Sequence, residues 1–301
     1  MPLDVVTFGE AMALMLAEPG VPLRRAHTFR RQVAGAESNV AIGLARLGHR
    51  VGWFGRVGAD AFGDAVLAAL RAEGVDVSRA VVDPEAPTGL LARDCSAARP
   101  TEVAYYRRGS AGSRLRPSDV DAGYLGTARW LHVTGITPVL SEDAAAATRA
   151  AVEAARAAGV RVCLDPNIRR RLADPARAAA LLRPLIGYAD LVVAGEDEAD
   201  LLGDLGPGLV VIKRGGRGAR TGAGDIEVPA FRVPAVDTVG AGDAFAAGLL
   251  SALLRDRPLA VALREASAVA ALCVAAPGDT DGLPTAAERD AYLAGGADVT
   301  R

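Results

Sequence analysis

A glycine-rich turn opens a helical run at Asp237-Thr238-Val239-Gly240-Ala241-Gly242-Asp243-Ala244-Phe245-Ala246-Ala247-Gly248. Gly240, Ala241 and Gly242 carry almost no side chain, so a ligand can approach their backbone closely. Amides in the first turn of a helix lack an intrahelical acceptor, and the helix dipole adds positive potential there. Together they form an anion hole suited to a phosphoryl group. Asp243 is out of place in such a hole, because a carboxylate repels phosphate. It fits if it accepts a hydrogen bond from a substrate hydroxyl and aims that oxygen at a phosphorus held by the neighbouring amides. Phosphoryl transfer has a loose transition state, in which positioning and charge stabilisation outweigh early deprotonation. Asp243 can then orient the alcohol and take its proton late. The competing account is an ordinary turn with Asp243 as a helix-start residue; the completeness of the string weighs against it.

Three other groups carry related chemistry. Arg107 follows Tyr105-Tyr106, and a guanidinium matches a planar carboxylate with two parallel hydrogen bonds. An amphipathic strand with a solvent-facing arginine is the alternative. Arg169 stands just past Asp165-Pro166-Asn167-Ile168, at the end of the apolar run 161–164. Ligands bind at strand ends of open α/β sheets, although Arg169-Arg170-Arg171 also suits an exposed basic turn. Lys213-Arg214-Gly215-Gly216-Arg217-Gly218 follows the apolar run 210–212, and Lys213 is the only lysine of the chain. Its glycines allow a tight turn beneath a flat adenine or ribose; any β-hairpin tolerates the same run.

The elements that must position these residues alternate in period. Strand-like runs at 5–9, 50–57, 129–133, 161–164, 191–193 and 209–212 are separated by helical patterns at 38–47, 61–73 and 142–158. The last third is helical at 241–254, 259–275 and 285–293, with Phe245, Leu249 and Leu253 expected as the buried stripe of the first. Such alternation predicts an α/β fold, a mostly parallel sheet covered on both faces. Segments 11–34 and 87–108 lack helical periodicity and read as a small antiparallel flap beside that sheet, or as two surface hairpins. The expected unit is one domain over residues 1–301.

Bulk properties narrow the partners. The chain has 301 residues, half of them apolar, and a net charge of −2, so it carries no electrostatic footprint for nucleic acid. Cys95, Cys163 and Cys273 are scattered, which suits reduced thiols. His27, His49 and His132 show no metal-ligand spacing. Met1-Pro2-Leu3-Asp4 starts no signal peptide, and apolar stretches are interrupted well before the roughly 20 residues that span a bilayer. A cytoplasmic protein without membrane or nucleic-acid partners is expected.

The segment from Asp237 to Gly248 resembles the C-terminal signature of the ribokinase (PfkB) family of carbohydrate kinases. Val33-Ala34-Gly35-Ala36-Glu37-Ser38-Asn39-Val40-Ala41, then Leu44-Ala45-Arg46-Leu47-Gly48, is similar to the family's N-terminal element. Gly55-Arg56-Val57-Gly58-Ala59-Asp60 with Phe62-Gly63 fits the next. The resemblance covers the chain in family order and implies a ribokinase-like, Rossmann-type three-layer sandwich with a β lid. It also implies ATP and Mg²⁺, with K⁺ as a further candidate because many members use a monovalent cation near the anion hole. An unpaired lid edge makes a homo-oligomer, a dimer or larger, the expected assembly.

Within the family the chain most resembles the 2-keto-3-deoxygluconate kinases, through 104–113, through Leu131-His132-Val133-Thr134-Gly135-Ile136-Thr137, and through Asp165-Pro166-Asn167-Ile168-Arg169. The resemblance implies Gly35, Ala36 and Asn39 at sugar hydroxyls, Tyr105 lining the sugar, Arg107 at its carboxylate and Asp279 reaching the substrate. It further implies Arg169 against the transferring phosphate, Asn167, Lys213, Gly215, Gly216 and Gly218 at ATP, and Glu198 acting on Mg²⁺ through water. Three positions depart from the family: Gly195 replaces an Asn, Leu91 a lid tyrosine, and Ser267 an Asn near adenine. The leading expectation is phosphorylation of a sugar acid. Fructokinase, ribokinase or nucleoside kinase activity is the nearest rival. A dinucleotide oxidoreductase is disfavoured because no G-x-G-x-x-G follows the first strand, and a non-catalytic sensor because Asp243 and the anion hole are both present.

Overall fold

A computed structural model describes residues 2–96 and 99–295. The principal sheet runs, in spatial order, Glu227–Val228, Ala219–Thr221, Leu209–Lys213, Leu191–Gly195, Arg161–Asp165, Ala128–Thr134, Leu3–Phe8 and Val51–Phe54. The last six are mutually parallel, and the first two are antiparallel additions at one edge. Successive side chains of a strand enter opposite faces. Val5, Trp53, Trp130, Leu191, Val193 and Val211 therefore pack on one side, with residues of Ala36–Arg46, Ala61–Ala72, Ala241–Leu254 and Leu259–Val274. Val6, Leu131, Val133, Val162, Leu164 and Ile212 pack on the other, with residues of Glu142–Ala157 and Pro175–Ile186. This is the three-layer α/β sandwich expected from the alternating periods.

The helix Ala241–Leu254 departs from the single stripe read from its sequence. Leu253 is only partly buried, Leu254 is buried, and almost every position from Asp243 onward is enclosed. The helix lies between Ala36–Arg46 and Leu259–Val274, and a methyl group at Gly248 would come within 2.8 Å of Ala266 Cα. Small residues let the backbones close, so the whole circumference is core.

Segments 11–34 and 87–108 supply a second sheet in the order Phe29–Ala34, Met12–Ala17, Leu90–Arg93, Val103–Tyr106. The flap is mixed, not antiparallel: Met12–Ala17 and Leu90–Arg93 run parallel at its centre. Each belongs to a separate excursion from the main body, so no hairpin forces them antiparallel. Met12, Leu14, Leu16, Ala34, Leu91 and Cys95 form its buried face. The strand read at 50–57 breaks at Gly55. Its second part, Arg56–Gly58, pairs with Val81–Asp83 in a separate two-stranded ribbon. Helices Pro175–Ile186 and Glu196–Leu202 add to those read from periodicity. Among the described residues no helix is long and apolar enough to cross a membrane.

Candidate active site

The C-terminal ends of the parallel strands deliver Glu10, Thr134, Asp165, Gly195 and Lys213 to one edge of the sheet, where open α/β sheets bind ligands. Facing them is the turn before Ala241–Leu254. Gly240 caps this helix in the left-handed region, at φ +83°, a conformation that glycine adopts without steric cost. A side chain there would also meet the Asp279 carbonyl oxygen at 2.6 Å. The Ala241 N–H makes only a long contact, 3.5 Å, with the Thr238 carbonyl. The Ala241 amide is thus largely uncommitted. Lys213 Nζ lies 3.6 Å from where a Gly242 Cβ would stand, so a cation borders the same hole.

Gly35, Ala36, Asn39, Leu91, Tyr105, Arg107, Arg169, Gly240, Asp243 and Asp279 line one cavity of about 210 Å³ between sheet and lid. Asn39 Nδ2 donates to Asp243 Oδ2 at 2.8 Å and stands 3.5 Å from Asp279 Oδ2. Asn39 Oδ1 is buried and has no protein donor, as suits an acceptor for a ligand hydroxyl. The Asp243 carboxyl is raised to about 7, chiefly by burial and also by Asp165 and Asp279, against the lowering effect of the Asn39 hydrogen bond and the charge of Arg169. A carboxyl that titrates near neutrality suits a proton acceptor. Arg107 turns inward from the end of the lid strand, ion-pairs with the buried Glu10, and leaves its buried Nε without an acceptor. This geometry disfavours the solvent-facing alternative. Tyr105, half exposed, lies beside that guanidinium.

Lys213, Gly215, Gly216, Gly218, Ala241, Gly242, Phe245 and Ser267 line a second cavity, of about 420 Å³, with a largely apolar wall that includes Phe231, Val233 and Val274. A cavity of this size and apolar lining suits a purine nucleoside. Side chains at Gly215 or Gly216 would meet nothing within 4 Å. Ser267 Oγ is buried there without a partner, leaving one polar group for a ligand. Thr238, Ala241 and Gly242 face this cavity, whereas Val239, Gly240 and Asp243 face the other. The turn is the wall between them.

Asn167 and Gly195 do not line the larger cavity. Asn167, with φ +40°, points its amide at Asp243 Oδ1, at 3.4 Å. Gly195 begins the helix Glu196–Leu202, and its N–H donates to Glu198 Oε2 at 2.7 Å. Glu198 Oε1 accepts from the Ile168 N–H, also at 2.7 Å, so this carboxylate braces the loop that carries Asn167. Burial and then Asp165 push Glu198 upward. Lys213 donates to Asp165 Oδ2 at 2.6 Å; burial opposes its charge, but Asp165 and Glu198 outweigh burial and hold it above the usual lysine range. Among the described residues no group of three or more His, Cys, Asp or Glu could hold a metal by itself.

Sequence reasoning missed two buried partners. Glu10 accepts from Ser110 and pairs with Arg107, and Gly89 and Gly112 leave room only for its side chain. Arg93 joins Asp237 and Asp279. The GE step after the first strand and the lone arginine in an apolar lid strand were the available signals; neither names its partner.

The sequence profile described as pfkB family carbohydrate kinase matches residues 2–286. The chain belongs to the pfkB family of carbohydrate kinases. Among curated pfkB relatives, the 2-dehydro-3-deoxygluconokinase of Bacillus subtilis (strain 168) is 41% identical over 97% of this chain and 96% of its own length. A crystal structure of a PfkB protein from Polaromonas superposes with a TM-score of 0.84 at 40% identity, over 96% of this chain and 99% of that one. A provisionally assigned ribokinase II from E. coli, solved in complex with ATP and Mg²⁺, gives a TM-score of 0.88 at 26% identity, over 97% and 99%. The fold and the sugar-kinase class expected from the sequence are therefore those of this pfkB chain.

Proposed function

We propose that this pfkB kinase phosphorylates a sugar acid, 2-keto-3-deoxygluconate (2-dehydro-3-deoxygluconate), to 2-keto-3-deoxy-6-phosphogluconate. The observation that carries the reading is the shared wall: one turn places Ala241 and Gly242 on the larger cavity and Asp243 on the smaller. ATP seats its base in the larger cavity, with Ser267 as a polar contact, and its terminal phosphoryl at the amides of 240–242 beside Lys213. The sugar lies in the smaller cavity, with Asn39 and Asp279 at hydroxyls and Arg107 at the carboxylate. Its terminal hydroxyl oxygen attacks the γ-phosphorus; the new P–O bond forms as the bond to the β-phosphate bridging oxygen breaks, and ADP leaves. The hydroxyl proton passes to Asp243, and Arg169 balances the moving charge. Mg²⁺ brought with ATP would neutralise the phosphate oxygens, with Glu198 reaching it through water.

Leu91 favours a second reading, because an apolar wall at that place also suits a neutral sugar such as fructose. ADP release across sugar acids, fructose, ribose and nucleosides, with and without K⁺, separates the two. The sugar-acid reading expects the keto-deoxy acid to be preferred and Arg107→Met to lose it. If Arg107→Met leaves turnover of the preferred substrate intact, the sugar-acid reading is wrong.

A further inference from the structure

Arg93 is the last residue of the lid strand Leu90–Arg93 and is 1% exposed. Its Nη1 donates to Asp237 Oδ2 at 2.7 Å, its Nη2 to Asp279 Oδ1 at 2.7 Å, and its Nε to Asp279 Oδ1 at 3.2 Å. Burial opposes this charge, but Asp279 and Asp237 together hold the guanidinium above its ordinary range. Taking three charges out of water is costly unless their pairing repays it, and a lid needs no such group merely to rest on a core.

The two carboxylates are themselves tied to the reacting groups. Asp237 opens the phosphate-binding turn and accepts from the Val239 N–H at 3.1 Å and the Gly278 N–H at 3.0 Å. The backbone of Asp279 packs against Gly240, and its carboxylate shares the Asn39 amide with Asp243. One guanidinium thus reaches the lid, the anion hole and, through Asn39, the acceptor of the hydroxyl proton. Two strand positions before it, Leu91 forms part of the sugar cavity.

We propose that Arg93 is a positioning residue, which locks the lid strand to the phosphate-binding turn and to Asp279 and so sets the turn and Asp243 in register when a sugar is enclosed. The proposal rests on Asp243 being the acceptor-orienting carboxylate. Arg93 does not line the larger cavity, but it borders the smaller one, which Arg107 also lines. Its loss therefore falls on the transfer step and not on ground-state binding of ATP, and any effect on sugar binding comes through Asp279.

The test is steady-state kinetics of Arg93→Met and Arg93→Lys, with thermal unfolding of each and Asp243→Asn as a control. Misplacing reacting groups by an ångström costs about 100-fold in rate, so Arg93→Met is expected to lose about that much kcat while KM for ATP stays within about threefold. An ammonium cannot reproduce the two-pronged bridge, so Arg93→Lys is expected to keep part of the rate, roughly a tenth. A folded Arg93→Met with kcat near wild type, or a loss confined to KM, overturns the proposal. Should Arg93→Met fail to fold, Arg93→Lys decides alone, and wild-type kcat in that variant overturns it. If Asp243→Asn is inactive while the Arg93 variants are unaffected, only this inference falls. An active Asp243→Asn removes the reading beneath it.

Discussion

The side-chain amide of Asn39 donates to Asp243 Oδ2 at 2.8 Å, joining the first helix of the chain to the start of the helix Ala241–Leu254. The bond favours the ionised form of Asp243 and opposes the burial that pushes its carboxyl up to about 7. In Asn39→Ala that restraint is gone, so the carboxyl takes its proton at still higher pH. The acidic limb of the kcat/KM profile is expected to move upward, with activity at neutral pH falling roughly tenfold and partly recovering under alkaline conditions. A pH–rate profile of the folded variant checks this; a limb at its wild-type position contradicts it.

The same carboxyl sets a pH-dependent stability term. Its folded pKa is raised above 3.8, so below that value it is protonated in both states and costs nothing. As pH rises through 3.8 toward 7, the unfolded chain releases the proton while the folded chain keeps it, and native stability falls. Asp243→Asn removes the term. The variant is expected to be more stable than wild type at about pH 8, by on the order of 2–4 kcal/mol, with the gap closing as pH falls toward 4. Thermal unfolding of both proteins without ligands across that range measures it.

The fold and the site were legible in the sequence to different degrees, for physical reasons. The turn and helix that carry Gly240–Asp243 are contiguous, and backbone freedom, dipole and carboxylate can all be read from neighbours. The smaller cavity needed the resemblance, since Asn39, Tyr105, Asp243 and Asp279 meet only through the fold. Arg93 was illegible because Asp237 and Asp279 lie 144 and 186 residues away along the chain. Nothing in Leu90-Leu91-Ala92-Arg93 distinguishes a buried ion pair from an edge arginine. The parallel pairing of Met12–Ala17 with Leu90–Arg93 was hidden likewise, because strand direction across a long connection leaves no local mark. Leu253 was misplaced because a helix buried all round has no single stripe to read.

Arg107 is expected to govern discrimination between acidic and neutral sugars. A charge-assisted hydrogen bond contributes about 1.5–3 kcal/mol, so Arg107→Met should lower kcat/KM for the sugar acid about 10- to 100-fold, with KM for ATP unchanged. Loss of the guanidinium also strands the buried Glu10, so part of any fall in melting temperature belongs to that carboxylate. Kinetics with the acid and a neutral analogue side by side separate the effects: equal losses on both would contradict a carboxylate contact.

Ser267 offers a buried hydroxyl without a protein partner to the larger cavity. Ser267→Ala removes one neutral hydrogen bond to the nucleotide, worth about 0.5–1.5 kcal/mol. KM for ATP is expected to rise roughly 2- to 10-fold with KM for the sugar unchanged, while removal of an unpaired hydroxyl leaves the free protein as stable or more so. Titration of each variant with ATP checks the first part and unfolding of the free proteins the second.

Single-turnover transfer from ATP to the preferred sugar, at saturating concentrations of both and with Asp243 replaced by Asn, tests the central claim most directly. The Asn side chain keeps the shape and one acceptor oxygen but cannot take the hydroxyl proton. The account predicts a folded protein that still binds ATP and transfers about a thousandfold more slowly than wild type. Transfer at a rate close to wild type would contradict it.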